Sequence, residues 1–101
     1  MDNVIELISK ELRKAVQLRV NGKSFPEATL SDVCVMNAKE CDNPNCNYSF
    51  SGSARVKRFM SDRNAYLEEN SSIRGYAQVD FEKEKVTIIG EVVADGLSHL
   101  F

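Results

Sequence analysis

The 101-residue chain has no tryptophan, one histidine (His99), two prolines and three cysteines. No apolar run approaches the roughly 18 residues of a membrane helix. The opening Met-Asp-Asn-Val-Ile-Glu lacks the basic and long apolar regions of a secretory signal, so a cytoplasmic protein is expected. There is no Gly-rich phosphate loop, GxSxG elbow or HExxH pair. Carboxylates are plentiful, but Glu68-Glu69 falls in a polar connection, and Glu82 and Glu84 alternate with lysines in a turn. Acid–base chemistry needs environments that push two pKa values apart, which a solvated turn does not supply. Neither an enzyme nor a cofactor is expected.

What is present is an ordinary globular balance, 43% hydrophobic and 28% charged, in a length that suits one domain over residues 1–101. Net charge is −2, which gives no global attraction for nucleic acid. The charge is uneven along the chain. Residues 1–49 sum to −1, and residues 50–63 sum to +3 through Arg55, Lys57, Arg58 and Arg63 against Asp62. Residues 64–101 sum to −4. A basic stretch followed by an acidic one can close within one fold or onto a second copy of the chain.

Val4, Ile5, Ile8, Leu12, Ala15 and Val16 recur at helical spacing and predict an amphipathic helix over 3–16, with Asn3 as its cap. Val16–Val20 alternates as a strand, and Asn21-Gly22 predicts a tight hairpin whose return, residues 23–25, is cut short by Pro26. A further strand is expected over 29–38, with Leu30, Cys34, Met36 and Ala38 on one face and Val33 and Val35 on the other. Residues 41–47, Cys-Asp-Asn-Pro-Asn-Cys-Asn, read as a loop. One long strand interrupted at Gly52 is expected from Tyr48 to Arg58. A polar connection follows over 61–72, with a helical turn near Ala65–Glu68. Strands at 73–81 and 86–93 flank a turn at 82–85, and Asp95-Gly96 ends the last of them.

Gly52-Ser-Ala-Arg-Val56 and Gly75-Tyr-Ala-Gln-Val79 echo each other. Glycine inside a strand marks a bulge or a close backbone approach. The pattern predicts an α+β fold: an amphipathic N-terminal helix packed on a mostly antiparallel, curved sheet of four to six strands.

With no catalytic set, the chain reads as a small interaction module that binds and modulates another protein, a homodimer being one arrangement. Its candidate contacts are the apolar tail Leu97, Leu100 and Phe101, and the basic residues Arg55, Lys57, Arg58 and Arg63. The tail stands out because chain ends are usually polar unless they dock. Two rivals come from other classes. Cys34, Cys41, Cys46 and His99 could complete a zinc set, although C-x6-C-x4-C lacks the tight pair such sites favour. Cys34 otherwise reads as a core residue, with Cys41 and Cys46 as loop thiols for which a disulfide would need an oxidising setting. The stretch 55–63, with Phe50 and Phe59, could bind single-stranded nucleic acid. Strand alternation divides its cations between two faces, which weakens that reading.

Overall fold

A computed structural model describes residues 2–97 of the chain. Helix α1 spans Asp2–Leu12 and is followed by six strands: β1 Val16–Val20, β2 Lys23–Ala28, β3 Leu30–Glu40, β4 Tyr48–Met60, β5 Ala65–Asp80 and β6 Lys85–Asp95. They form one open sheet in the order β2-β1-β6-β5-β4-β3, antiparallel throughout except where β1 lies parallel to β6. This is an α+β architecture. No described helix is long and apolar enough to cross a membrane.

The helix buries Val4, Ile8 and Leu12, with Ile5 and Leu7 half-buried beside them, and packs on β3 and β6. Strand β2 touches β4, although three strands separate them in the sheet order. Strands about 4.8 Å apart reach each other across such a gap only if the sheet curls. The curl brings β3, at one edge of the sheet, and β6 together against the helix stripe.

The helix stops at Leu12, short of the expected residue 16. No glycine or proline marks this end. The Lys14 amide donates to the Glu11 carbonyl, 3.1 Å away, in a tightened closing turn. Ala15 is exposed, and Val16 already faces the core from β1. Asn21 and Gly22 take φ of 51° and 80° at the first hairpin, the positive values that its turn requires. Pro26 does not end β2. This strand is the sheet edge, where a missing N–H costs no ladder bond, and the pairing with β1 simply slips by one residue there.

The polar connection over 61–72 is mostly strand. Only residues 61–64 turn, with Asn64 at φ 49°, and β5 then pairs with β4 rung by rung from Met60↔Ala65 to Tyr48↔Ala77. No helical turn forms near Ala65–Glu68. The hairpin runs past the fully buried core there, its outer face exposed and its inner face only half-buried around Leu67, so its alternation carries little hydrophobic signal. Gly52 does not interrupt β4 but admits β3: a Cβ would meet the Cys34 carbonyl oxygen at 2.1 Å. Gly75 makes room for the Phe50 ring, and Gly90, at φ 73°, sits in a bulge of β6.

Asn47 extends the sheet beyond the first residue of β4. Its side-chain amide donates to the Val79 carbonyl at 2.9 Å and accepts from the Val79 N–H at 2.8 Å. One side chain thus supplies both bonds of a ladder rung. Asn47→Ala leaves two backbone groups of β5 without partners, and urea unfolding should show a loss of about 1–3 kcal/mol. An unchanged midpoint would mean that water replaces the amide without cost.

Candidate functional site

The outer part of the β4–β5 hairpin is the most distinctive surface of the molecule. Residues 65–70 of β5 are exposed or half-buried, and regular inward burial resumes only at Ser71. The hairpin therefore forms an arm of a molecule measuring 46 × 22 × 19 Å overall. Strand alternation puts Arg55, Lys57 and Phe59 on its outer face, opposite Asn70, Glu68 and Tyr66. Phe59 and Tyr66 are directly paired across the strands, their ring centroids 5.2 Å apart at 66°. Both rings stay 48% and 61% exposed. The Lys57 ammonium stands 4.2 Å above the Tyr66 ring and 3.8 Å from Glu68. An edge-to-face pair topped by a cation is held in place without being buried.

The inner face of the arm carries Arg58, Met60 and Leu67. The Arg58 guanidinium lies 5.7 Å from the Phe25 ring centroid on β2. Between β2 and the arm is a cleft of about 200 Å³, with Leu18, Phe25 and Ala28 on one wall and Val56, Arg58 and Phe59 on the other. Sequence reasoning singled out the four cations but missed Phe25, Tyr66 and the cleft. Phe25 meets the arm only because the sheet curls, and Tyr66 lay in a stretch expected to be a connection.

The basic residues do not act as one patch. Arg55 faces outward with Asp32 at 3.7 Å, Lys57 pairs with Glu68, and Arg58 points to the other face. Arg63 sits in the exposed tip turn and makes no ion pair among the described residues. Elsewhere on the sheet Arg19 meets Glu91 at 3.1 Å and Arg74 meets Asp95 at 2.9 Å. Much of the charge asymmetry therefore closes within the fold, through pairs that are individually weak in solvent.

The cysteines exchange the roles expected of them. Cys34 is exposed and Cys46 is buried, with Cys41 between those extremes. The cause is a phase shift in β3. Asp32, at φ 50°, and a second irregularity after Val35 break the period of two, so Leu30, Val33, Val35 and Ala38 turn inward. Cys34 and Met36, which is 65% exposed, turn outward. Cys34 and Cys41 lie seven residues apart on an extended strand, about 23 Å at 3.3 Å per residue. No group of three metal-binding side chains forms among the described residues. His99, Leu100 and Phe101 lie outside the described residues. Leu97 packs half-buried against the core of its own chain.

Compared with protein-family models, curated proteins and solved structures, the chain matches none.

Proposed function

We propose that the protein is a small non-enzymatic interaction module that binds and modulates another protein through the β4–β5 arm. The observation that carries this reading is the exposed Phe59–Tyr66 pair beneath Lys57, beside the cleft lined by Phe25 and Arg58. Aromatic and arginine side chains dominate the binding energy of protein interfaces. Here they are fixed by cross-strand packing, so little rotamer freedom remains to be lost on binding. The partner surface that suits them combines an apolar side chain for the cleft with a carboxylate for Arg63, which makes no ion pair among the described residues. A second copy of the chain is the alternative partner. The protein's own acidic groups already engage Arg55 and Lys57 internally, which favours a different protein.

Affinity capture tests this with wild type, the Phe59→Ser/Tyr66→Ser double variant, and Met36→Ser as a control on another exposed apolar residue. A protein retained by wild type and by Met36→Ser, but bound at least about tenfold more weakly by the double variant, is the expected result. Equal retention by all three would remove the arm from the function. The double variant should lose only about 1 kcal/mol of stability, the worth of an exposed aromatic pair, so misfolding would not explain the loss. Native mass spectrometry reads out a homodimer directly. A dT oligonucleotide whose binding falls steeply with salt would replace the protein partner by single-stranded nucleic acid.

A further inference from the structure

Cys41 and Cys46 lie on the two sides of the base of the 41–47 loop, away from the arm. The last rung between β3 and β4 is Glu40↔Tyr48, and the next residues stay in register because the Cys41 amide donates to the Asn47 carbonyl at 2.9 Å. Asn47 is itself fixed on β5 by its amide N–H to the Ala77 carbonyl, 3.2 Å, and by its two side-chain bonds to Val79. Within the loop the Asn45 N–H donates to Asn43 Oδ1 at 2.8 Å, which folds the four intervening residues back on themselves. Cys46, anchored next to Asn47, is buried, with the Cys41 side chain as its titratable neighbour. Burial and that neighbour both push the Cys46 thiol up. Cys41 is only half-buried, and its sulfur lies 3.9 Å from the Lys39 carbonyl oxygen.

We propose that Cys41 and Cys46 form a reversible dithiol–disulfide couple that exchanges with small-molecule disulfides. The accessible Cys41 loses its proton and attacks one sulfur of the small disulfide. That S–S bond breaks, one small thiol leaves carrying a proton, and a mixed disulfide remains on Cys41. Cys46 then loses its proton and attacks the Cys41 sulfur, releasing the second small thiol. Two protein thiols become one protein disulfide, and the small disulfide takes up the two electrons and two protons. The Cys41–Asn47 backbone bond holds the two cysteine-bearing segments side by side beforehand, which favours ring closure. Cys34, exposed on β3 and about seven residues from Cys41 along an extended strand, stands apart from the other two cysteines.

The test equilibrates the whole protein over a series of oxidised to reduced glutathione ratios, quenches with acid, alkylates, and weighs the intact chain. The expected product is a monomer that has lost two hydrogens and two of its three alkylatable thiols, and that returns to the dithiol in reduced glutathione. Cys34→Ser should behave like wild type in the loop. Cys41→Ser and Cys46→Ser should each stop at a mixed glutathione disulfide. The oxidised wild type should melt several degrees above the reduced one, because the new bond closes a ring between segments that the fold already holds side by side. Persistence of both thiols at the most oxidising ratio would overturn the proposal. So would products confined to mixed disulfides or Cys34-linked dimers, or an oxidised form that melts lower. The outcome is independent of whether the arm binds a protein.

Discussion

Gly52→Ala should lower stability by about 3 kcal/mol, a large effect for a single methyl group. For a domain of this size that corresponds to a fall of roughly 12–24 °C in melting temperature. The added Cβ would stand 2.1 Å from the Cys34 carbonyl oxygen and 2.8 Å from the Val35 Cα. Both are backbone atoms, so no rotamer change relieves the contact, and β3 must move away from β4. Two comparators separate this clash from ordinary glycine effects. Gly75→Ala would meet the Phe50 ring at 2.8 Å, the end of a side chain with some freedom to shift. Gly22→Ala meets nothing within 4 Å and bears only the strain of φ 80°, about 1–2 kcal/mol. Thermal melts should rank Gly52→Ala as the most damaging of the three. A melting temperature within a few degrees of wild type would show that β3 is far looser against β4 than its backbone contact implies. Amide exchange should localise the damage, with protection lost first around Val35, which faces Gly52 in the ladder.

Ile8→Ala should cost about 3–4 kcal/mol, within the range for removing a large aliphatic side chain from a packed core. Ile8 has no exposed surface and lies at the middle of the helix stripe between Val4 and Leu12. Helix α1 has only 11 residues, too few to be stable alone in water. It is held by its packing on β3 and β6. The cavity would therefore loosen the helix as well as lose transfer energy, and urea unfolding followed by circular dichroism reports both. A cost under 1 kcal/mol would mean that the helix sits on the sheet without being needed by it. The alanine variant keeps helix propensity high, so any loss comes from packing. In neither variant is the Phe59–Tyr66 arm touched, so folded molecules that survive should still bind through it.

The expected arm surface also explains why the sequence alone did not point to it. Lys57 and Arg58 were visible as charges, and strand alternation correctly put them on opposite faces, as their separate contacts to Tyr66 and Phe25 show. Tyr66 was hidden because solvated alternation in Ala65–Asn70 has the same composition as a loop. Asn47 read as one more turn-forming residue in an Asx-rich loop, yet its amide completes a ladder rung on a strand 32 residues away.

Sequence by itself determined what depends on near neighbours. The helix stripe, the Asn21-Gly22 turn, the 41–47 loop, the alternation in β1 and in the inner half of β5, and the α+β class all follow from periodicity and local turn chemistry. Tertiary structure decided what depends on distant segments meeting. The bulges at Asp32 and after Val35 reverse which β3 residues face inward, exposing Cys34 and Met36. Gly52 admits a backbone that no local pattern announces. The parallel pairing of β1 with β6, and the curl that brings β2 to β4, create the cleft beside the arm. Periodicity is a property of one strand, whereas register, curl and pairing are set by how segments distant in sequence bury against one another.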